Sequence, residues 1–154
     1  MTVHEEKAIK LFVSGYNCAQ SVFAAFSDIT GIDEETSLKM SSSLGAGIGH
    51  LRLTCGTISA MAMVIGILYG YSTPNDPEAK KEHYARMRML TDRFKEVYPT
   101  LWCAELVKLA TRPVALDGDP EPRTPEYYTA RPCVKLVALS ARIIDEYIDE
   151  QNEK

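Results

Sequence analysis

The four cysteines of this chain are the residues whose type is best suited to chemistry. The 154-residue sequence places them at Cys18, Cys55, Cys103 and Cys133. A cysteine thiolate can bind a metal, attack a disulfide or reduce an oxidant. Successive cysteines lie 37, 48 and 30 positions apart, and none forms a C-x-x-C pair. The local spacings of zinc ribbons and thioredoxin-like proteins are therefore absent, and a shared site requires the tertiary structure to bring the four together.

The composition indicates a folded protein in a reducing compartment. Hydrophobic residues make up 45% of the chain and charged residues 25%, with a formal net charge of -4. That charge argues against nucleic-acid binding, which needs a basic surface. The N-terminus carries Glu5 and Glu6 where a secretory signal would have basic and apolar residues,. We therefore expect a cytoplasmic protein, in which cysteines serve as metal ligands or redox thiols more often than as structural disulfides.

The apolar periodicity is helical almost throughout. Between residues 77 and 97, for example, Tyr84, Met87, Leu90 and Phe94 recur at spacings of three and four, as on one face of an α-helix. No segment shows the alternation of a strand. The sequence predicts an all-α fold, in which residues 1–154 form one compact bundle of six to seven helices. The Pro-rich residues 112–132 are expected to form an ordered irregular loop.

One helix stands out as very apolar. Seventeen residues without a charge run from Cys55 to Tyr71. A membrane-spanning helix needs about 20 apolar residues, and this stretch includes Thr57, Ser59 and three glycines. It therefore predicts a buried central helix and no membrane span. Its apolar surface would also suit a helical homodimer.

Each cysteine follows a typical signal for the start of a helix. The signals are the Asn17–Gln20 capping box for Cys18, and Thr54, Thr100 and Pro132 for Cys55, Cys103 and Cys133,. The positive end of a helix stabilises an anion and is expected to lower the pKa of a thiol placed there. The alternative for any one of them is a small buried hydrophobic residue.

A glycine-rich segment, Gly45-Ala46-Gly47-Ile48-Gly49, precedes the central helix. Backbone N–H groups in such a segment can point at an anion or a cluster. Gly45, Gly47, Gly49 and Gly56 are therefore the candidate cofactor-binding positions. The alternative is a tight turn with close helix packing.

Three further side chains lie near cysteines in the sequence. His50 could be a ligand or proton relay, although a histidine in a surface loop is the simpler interpretation. Arg52 could offset thiolate charge, although surface solvation is expected by default. Trp102 is expected to anchor the core. No serine–histidine–acid pattern, H-E-x-x-H or P-loop is present in the sequence, so the hydrolase and nucleotidase classes lack support.

The residues around the cysteines resemble a known family. The relevant segments are Gly15-Tyr16-Asn17-Cys18-Ala19-Gln20, the glycine-rich run, Thr54-Cys55-Gly56, and the single cysteines 103 and 133. Together they look like the C_GCAxxG_C_C family, whose members are described as redox-active from their cysteines. The resemblance covers about residues 5 to 148. Two departures are that Ala46 stands in a run that is often pure glycine, and that the family's Ala and Gly positions after Cys55-Gly56 read Thr57 and Ala60.

The resemblance implies redox chemistry at all four cysteines. The family is also similar to a domain of split-Soret cytochromes in which cysteines hold an iron–sulfur cluster. This chain has no C-x-x-C-H sequence, so no haem is implied.

Three functions follow from the sequence. The first is an electron-transfer protein whose four thiolates, Cys18, Cys55, Cys103 and Cys133, bind an iron–sulfur cluster or another transition metal, served by a protein or small-molecule redox partner. The second is a thiol–disulfide protein that cycles between dithiol and disulfide. The third is a non-catalytic helical binding module with buried structural cysteines.

Overall fold

The computed structural model describes residues 1–116 and 118–154. Within these residues the regular structure is helical and contains no strand, which confirms the prediction of an all-α fold. The helices are α1 (Val3–Val13), α2 (Cys18–Ala25), α3 (Ser27–Thr30), α4 (Glu34–Ser41), a 3₁₀ turn (Ser42–Leu44), α5 (Gly56–Tyr69), α6 (Pro77–Lys95), α7 (Cys103–Val107), α8 (Pro125–Ala130) and α9 (Cys133–Asn152).

The described part of the chain contains two more helices than the sequence predicts. One is the single turn of α3, which ends at Gly31 in a left-handed conformation. The other is α8, which lies inside the segment 112–132 expected to be irregular. Its start has ordinary signals, because Thr124 accepts a hydrogen bond from the Tyr127 N–H (3.3 Å) and Pro125 occupies the first helical position,. The high proline content of the segment obscured them.

Local capping explains where most of the helices begin. Asn17 and Gln20 form the expected capping box at the start of α2, and Asp76 caps α6 ahead of Pro77. The start of α5 differs from the prediction. Cys55 is itself the N-cap residue and Gly56 the first helical position, because Thr54 is engaged in an isolated antiparallel bridge with Trp102.

The apolar helix α5 lies at the centre of the fold, as predicted, packed against α2, α9 and α6. Fully buried side chains from these helices, and Phe26 at the C-cap of α2, fill the core: Phe23, Phe26, Met61, Val64, Ile65, Leu90, Phe94, Val137 and Ile144. Helices α1 and α9 pack along each other, and Arg142 joins them by donating to Glu5 (2.8 Å). None of the helices among the described residues has the length and apolarity needed to span a membrane.

Candidate functional site

A cavity of about 380 Å³ lies where four helices begin, and all four cysteines line it. Cys18, Cys103 and Cys133 are the first residues of α2, α7 and α9, and Cys55 is the N-cap of α5. The predicted placement of the thiols at helix starts is confirmed, and all four line the same cavity. Helices from distant parts of the sequence thus bring the four sulfur atoms to one space.

Paired backbone segments hold two of the cysteines together. The Cys55 N–H donates to Leu101 O (2.8 Å), and the Cys103 N–H donates to Leu53 O (2.6 Å). Between these bonds lies the Thr54–Trp102 bridge. The starts of α5 and α7 are therefore fixed relative to each other by main-chain hydrogen bonds, which do not depend on side-chain packing.

Cys18 lies in a close-fitting backbone environment. The backbone N–H groups of Ala46, Ala19 and Gly56 face its sulfur and favour the thiolate, which partly offsets the effect of burial on the pKa. A Cβ atom added at Gly56 would lie 2.6 Å from Cys18 Sγ and 2.9 Å from Leu44 O. Position 56 therefore requires glycine for the first turn of α5 to approach this thiol.

The glycine-rich segment forms a left-handed turn beside the cavity. The φ angles of Ala46, Gly47, Ile48, Gly49 and His50 all lie between 52° and 68°, a region that L-residues other than glycine rarely occupy. Gly45, Gly49 and Gly56 line the cavity, whereas Gly47 is outside its lining. A Cβ at Gly47 would lie 2.4 Å from Leu53 N, so this glycine permits close backbone packing.

Burial raises the pKa of three of the thiols. Desolvation is the main cause at Cys18, Cys55 and Cys133, and the nearby thiols add to it. The pKa of Cys133 rises to about 12. The expectation that helix N-termini would lower these pKa values is wrong for the three, because desolvation in the cavity wall exceeds the stabilisation by backbone N–H groups.

Arg52 is buried at the cavity, so the default expectation of surface solvation is wrong. Only 5% of the residue is exposed, and its Nη1 lies 3.5 Å from Cys103 Sγ. Its Nη2 donates to Ala115 O (2.9 Å) and lies 3.1 Å from His50 Nε2. His50 also lines the cavity, so it belongs to the candidate site, and the simpler interpretation as a surface-loop histidine does not describe it fully.

Two further arginines at the cavity were missed by the sequence analysis. Arg123 and Arg131 lie over the ring of Tyr127, at 4.5 and 4.2 Å from its centroid. Arg131 also pairs with Glu121. Tyr127 lies within α8, and the two arginines flank this helix, Arg123 just before its N-cap Thr124 and Arg131 at its C-cap. No local sequence pattern indicates that they meet at Tyr127, because both lie outside the regular helix.

Trp102 does not anchor the core as expected, since 52% of it is exposed. The backbone bridge with Thr54 fixes its position in place of side-chain packing. Its neighbour Cys103 is buried. The backbone at the start of α7 therefore directs the Cys103 thiol into the fold and leaves the Trp102 indole on the surface.

Within the described residues, no three His, Cys, Asp or Glu side chains gather closely enough to hold a single metal ion. All four cysteines are free thiols. They surround a space together without forming a compact ligand set for one ion.

Comparison with known proteins gives one match. A family model described as "Putative redox-active protein (C_GCAxxG_C_C)" matches residues 16–147, a range that includes every cysteine. No curated protein and no solved structure matches the chain.

Proposed function

Because the chain belongs to the C_GCAxxG_C_C family of redox-active proteins, we propose that it transfers electrons through an iron–sulfur cluster, or a comparable metal centre, bound by its four cysteines. The observation that carries this proposal is that Cys18, Cys55, Cys103 and Cys133, each from a different helix start, line one cavity. The proposal places the protein in the reducing cytoplasm, with a protein or small-molecule redox partner.

The donor set and the space favour a cluster over a single ion. Thiolates are soft ligands that select iron–sulfur clusters, zinc or copper(I). In a [4Fe–4S] cluster each of the four thiolates would bind a different iron, so the ligands would surround the cluster and need not meet at one point. Thiols spread around a cavity of about 380 Å³ suit that arrangement, whereas a single ion would need them closer together than the described residues bring them.

The raised pKa values favour metal binding over disulfide exchange. Exchange requires a thiolate in the resting protein, yet burial raises the pKa of Cys18, Cys55 and Cys133. A bound metal deprotonates its thiol ligands outright, since the metal charge stabilises the thiolate. The environment of these three residues therefore keeps their thiols protonated and unreactive when no metal is bound. The same thiols would become anionic ligands when a metal binds.

The polar groups of the site would stabilise the negative charge of a bound cluster and its thiolate ligands. Arg52 is positioned to donate to the Cys103 sulfur, and the N–H groups of Ala46 and Gly56 to the Cys18 sulfur. Such donors stabilise the reduced, more negative form and so raise the reduction potential. When bound, the cluster supplies one-electron chemistry. The protein supplies its thiol ligands, its backbone donors and a wall that limits water.

Anaerobic purification tests the proposal directly. We expect brown protein that contains iron and inorganic sulfide in equal amounts. Replacement of any one cysteine by serine should lower the iron content severalfold, because second-shell changes alone cost about 10–100-fold in metal affinity and loss of a ligand costs at least as much.

A matched control separates loss of a ligand from damage to the core. Met61 is a fully buried sulfur-containing residue, and Met61→Leu conserves its volume. This variant should retain the iron of the wild type. Anaerobic protein with no iron or other transition metal would contradict the proposal, as would serine variants that retain full metal content.

A further inference from the structure

Three arginine N–H groups in the cavity wall are buried and find no hydrogen-bond partner among residues 1–116 and 118–154. They are Arg52 Nε, Arg123 Nη1 and Arg131 Nε, and each belongs to a residue that lines the cavity. Arg52 and Arg131 are 5% and 8% exposed. Leaving a charged donor buried and unpaired is costly, so these groups indicate a ligand with acceptor oxygen or sulfur atoms.

The charge of the wall is positive. Among the described residues that line the cavity, three arginines face one carboxylate, Glu121. The Glu121 carboxylate forms ion pairs with both Arg131 and Arg112. Within residues 1–116 and 118–154, Arg52 and Arg123 make no ion pair with a carboxylate. The cavity is therefore complementary to an anion.

Two of these three arginines act on cysteines of the proposed centre, and Arg123 is the third. Arg52 and Arg131 both act electrostatically on Cys133, and Arg52 also contacts Cys103. Arg123 instead lies over the rings of Phe12 and Tyr127. Arg123 therefore lies on the side of the cavity formed by aromatic residues.

The surroundings of Arg123 fix its guanidinium. Its Nη2 donates to Tyr16 O (3.2 Å), and the group stacks 4.8 Å from the Phe12 ring centroid and 4.5 Å from that of Tyr127. Stacking holds the planar group in one orientation, while Nη1 finds no partner in the part of the chain that the structure describes,. Leu106 and Leu136 add apolar side chains to the wall of the same cavity.

We propose that this cavity binds a small organic acid, whose carboxylate meets the Arg123 guanidinium and whose apolar body lies against the aromatic and leucine side chains. A planar carboxylate matches the fork of an arginine, and the apolar wall favours a hydrocarbon body over a bare inorganic ion. Binding of the acid needs no metal. The inference therefore rests on the proposed function only where it identifies the acid as a partner in the redox reaction.

Calorimetric titration of the full-length wild-type protein, purified without air, tests this inference with benzoate, benzamide and inorganic phosphate. Benzoate should bind at least about tenfold more tightly than benzamide, its neutral isostere, because charge-assisted hydrogen bonds to arginine are lost with the amide. Benzoate should also bind more tightly than phosphate. Equal binding of benzoate and benzamide, tighter binding of phosphate, or no binding of benzoate would overturn the inference.

Two variants locate the site. Arg123→Gln should weaken benzoate binding by at least about tenfold and leave the iron content unchanged, whereas Arg88→Gln, on the exposed side of α6, should change neither. Unchanged binding in R123Q, or an equal loss in R88Q, would overturn the assignment. If R123Q does not fold by circular dichroism, the comparison of benzoate with benzamide on the wild type still decides. Iron without benzoate binding would refute this inference alone, and benzoate binding without iron would refute only the metal centre.

Discussion

The thiols of this protein are subject to two opposing influences, and their balance determines what the cysteines can do. The helix start and its N–H groups favour the thiolate, while burial favours the neutral thiol. Burial is stronger at Cys18, Cys55 and Cys133, whose pKa values are raised. The metal-free protein should accordingly hold thiols that react slowly, and a metal should replace a proton when it binds.

The raised pKa of Cys133 makes stability depend on pH in the metal-free protein. The thiol pKa is about 12 in the folded chain and about 8.5–9 when unfolded. Above about pH 9 the unfolded chain loses this proton while the folded chain keeps it, so the stabilisation present below that pH falls as pH rises. The free energy of unfolding in urea should therefore fall from about pH 8 to about pH 10.5, by about 2–2.5 kcal/mol more in the wild type than in Cys133→Ala. Parallel pH profiles would contradict the assignment.

Gly56 should not tolerate even one added methyl group. In Gly56→Ala the new Cβ would meet Cys18 Sγ and Leu44 O, and we expect a loss of about 1–3 kcal/mol in the free energy of unfolding together with lower iron content. Thermal unfolding and iron analysis measure the two effects.

The same helix offers a matched control for this substitution. A Cβ at Gly66 would meet nothing within 4 Å, so Gly66→Ala should stabilise α5 by about 0.5–1 kcal/mol. If the two variants behaved alike, the close approach between α5 and Cys18 would have no energetic significance.

Among the elements, the left-handed turn at residues 46–50 is the least usual. Each L-residue held there costs about 1–2 kcal/mol, and Ala46, Ile48 and His50 all have positive φ. Hydrogen bonds hold the turn, including those from Gly49 N–H to Ser43 O (2.8 Å) and from Leu53 N–H to Gly47 O (2.9 Å). Strain of this kind persists where the surroundings over-determine the backbone, and here the turn forms one wall of the cavity.

Two glycines in this turn should respond differently to alanine. Both have positive φ, so each substitution should cost about 1–2 kcal/mol from the backbone alone,. Gly47→Ala should cost more, since its Cβ would lie 2.4 Å from Leu53 N, whereas Gly49→Ala meets open space. Chemical denaturation of both variants measures the difference. Equal losses would show that the packing of residue 47 on Leu53 does not matter.

Sequence patterns predicted the helices well because their signals are local. The capping box at Asn17 and Gln20 placed Cys18 correctly, and the periodicity identified α5 as the central helix. The start of α5 was misplaced by one residue because Thr54 pairs with Trp102, which is distant in sequence. The helix α8 was not predicted because five prolines in residues 112–132 favour a loop, although Thr124 caps the helix and Pro125 begins it.

The electrostatics of the site could not be predicted from the sequence. The pKa of Cys133 depends on burial and on neighbours that only the tertiary structure brings together. The burial of Arg52 depends in the same way on its contacts with Ala115 and Cys103. The resemblance to the family indicated which thiols belong together, but it did not indicate the arginines around them.

For the whole molecule, the main consequence of the site is that one ligand set would link helices from most of the chain. Helices α2, α5, α7 and α9 each contribute one cysteine. A metal that binds only the folded arrangement stabilises the entire fold by mass action. The centre is therefore expected to contribute to folding as well as to electron transfer.

Metal removal tests this link. The protein stripped of metal by a chelator should unfold at a lower temperature than the same protein after anaerobic reconstitution with iron and sulfide. By analogy with binding at 100-fold excess over the Kd, the difference in unfolding free energy should reach about 2–3 kcal/mol or more. The four-fold Cys→Ser variant should show no response to reconstitution. Equal unfolding temperatures before and after reconstitution would indicate that metal and fold are independent.

The contribution of α9 to the cavity also constrains events during biosynthesis. Cys133 begins the last helix, and the earlier cysteines lie far upstream in α2, α5 and α7. A chain emerging from the ribosome with its N-terminal helices first would present three thiols with the fourth still to be translated. Under the proposed function, loading of the complete site would follow translation of residue 133, and the three earlier thiols would be open to oxidants until α9 docks.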